Sequence, residues 1–116
     1  MRRMLRLKKP NEIKLSKELE DKIEEYAVSA SDKYASSLFT WDEFKTVFLL
    51  KHLQFSFYYH NIMFTIFNCG EYAEFWIDGD DSNTYTKYDS ADKLLREVCL
   101  QGKPLQAVWK ELIFAT

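Results

Sequence analysis

The stretch FWIDGDDSNTYTKYDS, residues 75–90, sets Asp78, Asp80, Asp81 and Asp89 in one polar segment directly after an aromatic pair. Carboxylates at that density suit two chemistries: holding a hard cation, or steering a basic partner. Counted from Asp78, a helix–loop–helix calcium loop finds oxygen donors at its first, third and fifth positions in Asp78, Asp80 and Ser82. The sixth position, where the turn requires glycine, is Asn83. The twelfth, where a bidentate glutamate is required, is Asp89, and strand-like sequence replaces both flanking helices. The donor set is incomplete, so the segment reads as a hairpin loop in which Gly79 and Asn83 accept positive φ. Its charge is still usable: Asp78, Asp80 and Asp81, with Glu71 and Glu74 upstream, concentrate negative potential at one end of a sheet.

The remaining reactive side chains are sparse. A thiolate or hydroxyl nucleophile needs a base beside it, and His60 with Cys69 is a generic pairing without a recognisable elbow. Cys69 reads as a small turn residue before Gly70. His52, His60, Cys69 and Cys99 lack the paired spacing of a zinc site. Three glycines leave no phosphate-cradling loop of either the mononucleotide or the dinucleotide type. No carboxylate lies in an apolar context that would raise its pKa into the range of a general acid. These residues predict a protein that is not an enzyme and needs no metal or other cofactor.

At 116 residues the chain is the size of one domain, and 47% apolar content supplies a core. Charge is uneven. Residues 1–10 hold Arg2, Arg3, Arg6, Lys8 and Lys9 with no acid, while the other 106 carry a net charge of −7. The expectation is a flexible basic arm, 1–10, on a single acidic domain, 11–116. The arm is either a solvated terminus or a contact for phosphate. The N-terminus lacks the apolar stretch of a secretory signal, and no run is long enough to span a membrane. A cytoplasmic chain with reduced thiols is expected.

Elements follow from periodicity. Leu15, Leu19, Ile23, Tyr26, Ala27, Ala30 and Tyr34 repeat at helical spacing, with Ser16 as N-cap and an end between Ser29 and Ser37. Thr40 and Glu43 have capping-box spacing before the stripe Trp41, Phe44, Val47 and Phe48. From Gln54 the pattern changes to aromatic and β-branched runs punctuated by HN, NCG and DGDDSN, which predicts a three- or four-stranded antiparallel meander. A helix follows, capped by Asp89 or Ser90 and ended by Gly102. Another starts with Pro104 in its first turn and buries Leu105, Val108, Trp109 and Leu112. The fold class is α+β, with two N-terminal and two C-terminal helices around the sheet.

Alternation along the strands sorts two faces. Ile62, Phe64, Ile66, Ala73, Phe75 and Ile77 share the core side. Met63, Thr65 and Phe67 oppose Tyr72, Glu74 and Trp76, and then Tyr85 and Lys87, on the other. Four helices are enough to cover both faces, which would make that second set core. If they cover one, the second face is a protein interface, with Trp76, Tyr72 and Tyr85 as anchors and Glu74, Asp78, Asp80 and Asp81 as its charged rim. Base-stacking sheets interleave their aromatics with cations, so the acids here disfavour nucleic acid on this face.

Tyr88, Ser90, Leu94, Leu95, Gly102, Lys103, Leu105 and Trp109, within YDSADKLLREVCLQGKPLQAVWKEL, resemble a pattern in small uncharacterised proteins of Gram-positive bacteria and their phages. The resemblance spans Tyr88–Leu112 and implies an inhibitor of the immunity-protein or anti-CRISPR kind. The combined expectation is a non-catalytic binder that occludes a larger, nucleic-acid-handling enzyme by presenting an acidic aromatic surface to a basic one. The alternative is a nucleic-acid-associated regulator working through Arg2, Arg3, Arg6, Lys8 and Lys9. A homodimer through the aromatic face is also open, and no membrane partner is expected.

Overall fold

The computed structural model describes residues 15–78 and 84–115; the basic segment 1–10, with Asp80 and Asp81, lies outside the described residues. Helix α1 (Lys17–Ser29) starts where Ser16 Oγ accepts the Leu19 amide at 3.2 Å. It stops at the head of the serine-rich segment, which disfavours helix interiors. A single turn, α2 (Ala35–Leu38), precedes α3 (Trp41–Leu50). The predicted capping box is present: Thr40 Oγ1 accepts the Glu43 amide at 3.1 Å, and Glu43 Oε1 accepts the Thr40 amide at 2.9 Å. Glu43 also accepts Lys22 Nζ of α1 at 2.8 Å. The Lys22 ammonium and then the Thr40 amide hold the Glu43 carboxyl below its usual range, so one side chain both caps α3 and ties α1 to it.

Strands β1 (Gln54–Tyr59), β2 (Ile62–Asn68), β3 (Ala73–Asp78) and β4 (Thr84–Tyr88) form the antiparallel meander. After α4 (Ala91–Glu97), the two-residue strands β5 (Cys99–Leu100) and β6 (Lys103–Pro104) make a small hairpin. Then come α5 (Leu105–Val108), a 3-10 turn at Trp109–Glu111, and β7 (Ile113–Phe114). β7 pairs antiparallel with β1, so the sheet has five strands in the order β4-β3-β2-β1-β7.

Four expectations need correction. Three helices rather than two precede the sheet, because Ala35–Leu38 folds as a separate single turn between α1 and α3. The sheet has a fifth strand, because a two-residue segment has no period of its own and becomes a strand only through its partner Phe57–Tyr58. Gly102 does not end α4. That helix stops at Glu97, and Gln101 (φ 52°) with Gly102 (φ 82°) forms the two-residue β5–β6 turn, where both central residues need positive φ. Pro104 occupies the N-cap of α5 with extended ψ of 160°, and the last helix is one α-turn continued as 3-10. Its predicted apolar residues Leu105, Val108, Trp109 and Leu112 are all buried.

The core lies on one side of the sheet. Phe55, Phe57, Tyr59, Phe64, Ile66, Ala73, Phe75 and Phe114 share it with the buried stripes of α3, α4 and α5. Phe44 is the hub. Its ring centroid lies within 4.6–6.3 Å of those of Phe39, Trp41, Phe48, Phe55, Phe57 and Trp109. The Trp109 indole N–H is satisfied by the Phe39 carbonyl at 2.9 Å, as a buried indole requires. Asn68 is the one buried polar side chain among the described residues. Its amide donates to the Phe48 carbonyl at 2.8 Å and its Oδ1 accepts the Gly70 amide at 2.8 Å, joining the end of α3 to the β2–β3 turn. At Gly70 (φ 96°) a Cβ would lie 2.9 Å from His52 Nε2, so conformation and space both demand glycine there.

Phe44→Ala removes the ring at the centre of this cluster and should cost about 3–5 kcal/mol in chemical denaturation. Tyr26 gives a second test. Burial pushes its hydroxyl, ordinarily at 10.0, up to about 12. The folded state then holds this proton more tightly than the unfolded chain. Its contribution is complete below pH 10 and is lost as pH rises towards 12. Tyr26→Phe should flatten that part of the stability-versus-pH curve.

Candidate functional site

The face of the sheet away from the helices is uncovered among the described residues. Register sets its layout. Trp76 on β3 stands between Thr65 of β2 and Tyr85 of β4, Glu74 between Phe67 and Lys87, and Asp78 opposite Met63. Met63, Thr65, Phe67, Glu74 and Trp76 are half-buried, whereas Tyr85 is 45% and Tyr58 40% exposed. On β1, Gln54, Ser56 and Tyr58 continue the surface, and Ser56 and Thr65 hydroxyls share a 2.7 Å hydrogen bond.

Glu74 organises the centre. One carboxylate oxygen accepts the Trp76 indole N–H at 3.1 Å, and the other accepts the Tyr85 hydroxyl at 3.2 Å. The two rings lie 4.5 Å apart at 51°. Burial first, and then the Glu74 charge, push the Tyr85 phenol above its ordinary value. Beside this cluster Lys87 Nζ sits 4.4 Å above the Tyr72 ring, a cation–π contact. A groove of about 330 Å³ runs along the face, lined by Gln54, Thr65, Phe67, Glu74, Trp76 and Asp78.

Of the residues expected to bind a partner, Tyr72, Glu74, Trp76, Asp78 and Tyr85 belong to or border this face. Tyr72 lies just ahead of β3, and Asp78 is exposed at its end. Asp80, Asp81, Arg2, Arg3, Arg6, Lys8 and Lys9 lie outside the described residues. Gln54 was not among the expected residues. Its polar alternation with Ser56 against Phe55 and Phe57 is the signal that marks it.

The arrangement does not support a His60–Cys69 dyad, because these residues lie beyond opposite ends of the seven-residue β2. His60 occupies the β1–β2 turn at φ 56° and places Nε2 3.0 Å from Glu111 Oε1. A shallow cleft of about 600 Å³ opens there, with Tyr34, Ser36, Ser37, Lys110 and Ile113 on its walls. Nothing in the sequence links these segments, which only the return of the chain into β7 brings together. Among the described residues no group of three His, Cys, Asp or Glu side chains could hold a metal ion, and no helix is long and apolar enough to cross a membrane. No protein-family model, curated protein or solved structure matches this chain.

Cys69 is half-buried, and burial followed by the Glu74 charge raises its thiol, whereas Cys99 is exposed. The native protein should therefore react with an aromatic disulfide reagent first at Cys99. Cys99→Ser should leave one slow thiol, and equal rates at the two sites would contradict the placement of Cys69.

Proposed function

We propose that this chain is a non-catalytic inhibitor that binds a larger protein stoichiometrically through the uncovered sheet face, occluding a basic, nucleic-acid-handling surface. The observation that carries the reading is the half-exposed Trp76–Tyr85 pair fixed on the Glu74 carboxylate, with no helix over it among the described residues. Aromatic anchors ringed by polar and charged groups are the makeup of an interface centre. The acids Glu74 and Asp78 match a partner adapted to phosphate. Lys87 is the only cation in the described part of this face, and it is engaged over Tyr72, which argues against stacking of nucleic-acid bases here. The Tyr88–Leu112 resemblance points the same way, to an inhibitor of the immunity-protein or anti-CRISPR kind.

The charge of residues 1–10 favours a second reading, regulation at nucleic acid through Arg2, Arg3, Arg6, Lys8 and Lys9. Salt separates the two, since phosphate contacts lose affinity steeply as counterions are added.

The test is capture from bacterial lysate with the tagged full chain, with and without nuclease, followed by assay of the retained protein's own activity. The expected result is one stoichiometric protein that survives nuclease and loses activity as the chain is added. Trp76→Ala and Tyr85→Ala, each shown to be folded, should weaken that complex by about 2 kcal/mol or more. A folded Trp76→Ala that inhibits as well as the parent would reject the anchor. Partners that vanish with nuclease would move the function to residues 1–10.

A further inference from the structure

We infer that the groove along β3 is an arginine-recognition site, receiving a guanidinium that stacks on the Trp76 indole and pairs with the Glu74 carboxylate. The inference rests on the sheet face being the partner surface and names the chemistry that surface selects.

Glu74, Trp76 and Asp78 alternate on one side of a single strand, so the indole stands between two carboxylates, each about 7 Å along the strand. Both Glu74 oxygens already accept one hydrogen bond from a neutral donor, Trp76 Nε1 at 3.1 Å and Tyr85 OH at 3.2 Å. An ionised carboxylate offers about four acceptor positions, so roughly one remains on each oxygen, the arrangement a guanidinium fork takes. The neutral donors orient the group without cancelling its charge. Among the described residues no cation lies within 4.0 Å of Glu74 or Asp78; Lys87, directly across from Glu74, is turned over the Tyr72 ring instead.

The groove, about 330 Å³, has room for an arginine side chain, with Phe67 and Thr65 beside the indole and Gln54 at its edge. Such walls suit the apolar stem and flat, weakly hydrated head of arginine. A lysine ammonium is strongly hydrated, cannot stack as a plane, and would meet Glu74 only as a point charge. Charge complementarity and the aromatic wall thus favour an arginine side chain of a basic protein over any generic cation.

The experiment compares octa-arginine with octa-lysine, titrated into the full ¹⁵N-labelled chain while the Trp76 indole N–H resonance is followed. Octa-arginine is expected to bind about fivefold tighter and to shift that resonance, since stacking and two-point pairing add to a charge term both peptides share. Glu74→Gln removes the charge while its one amide oxygen can still accept the Trp76 indole N–H and its NH2 can donate to the Tyr85 hydroxyl oxygen, and it should bring the ratio close to one, as should Trp76→Ala. Equal affinities in the parent chain, or a preference that survives Glu74→Gln, would overturn the inference. Full-length chain with Arg2, Arg3, Arg6, Lys8 and Lys9 all changed to Gln should bind as the parent does. A gain above about tenfold would assign the groove to the chain's own basic segment and overturn the partner assignment. The two proposals fail separately. Loss of the arginine preference with Trp76→Ala still abolishing inhibition sinks only the ligand assignment. A retained preference in the parent chain with unimpaired inhibition by Trp76→Ala supports the site and sinks the assignment of inhibition to this face.

Discussion

The packing of Phe44 against six other rings is the constraint on which the rest of the structure depends. That ring draws in Phe39, Trp41, Phe48, Phe55, Phe57 and Trp109 from four separate parts of the chain. Aromatic side chains bury large apolar areas, and edge and offset contacts between the rings add to that burial. All of it falls on one side of the sheet. With the buried stripes of α3, α4 and α5 committed there, the other strand face has no helical cover among the described residues. The exposed surface follows from where the core is.

Polar groups then lock this arrangement at a few points. Asn68 is buried with its amide donating to the end of α3 and its carbonyl oxygen accepting from Gly70, so the helix and the β2–β3 turn cannot move independently. Glu43 plays the matching part at the other end of α3, where capping and the Lys22 ion pair share one carboxylate. On the uncovered face Glu74, like these two, has both terminal side-chain atoms engaged, but its partners are neutral and its surroundings half-exposed. Glu74 is thus fixed in direction by neutral donors alone, whereas Asn68 and Glu43 are fully employed within the fold.

Helix starts were legible in the sequence because a cap is a contact over three residues. Ser16, the Thr40–Glu43 box and Ser90 all cap as spacing suggests, with Ser90 rather than Asp89 accepting the Lys93 amide. Strand faces were legible because alternation is strict, which places Glu74 and Trp76 together and away from Ala73 and Phe75 without any knowledge of the neighbours. Gly102 misled because glycine serves equally as a helix stop and as a hairpin turn. The positive φ of Gln101, which decides between them, comes from pairing of Cys99–Leu100 with Lys103–Pro104. β7 was missed for a related reason: two residues carry no pattern, and their strand character is borrowed from β1.

The sequence by itself determined the α+β class, the caps, the two strand faces and the set of aromatic and acidic residues that share one of them. These depend on interactions within a turn or along one strand. Tertiary structure alone decided that the described helices cover a single face, that Gln54 joins Thr65 and Phe67 beside Trp76, and that His60 meets Glu111 across the chain. Those outcomes depend on which surfaces exclude water from each other at long range. Local propensity and periodicity hold no information about that choice, and the packing around Phe44 makes it.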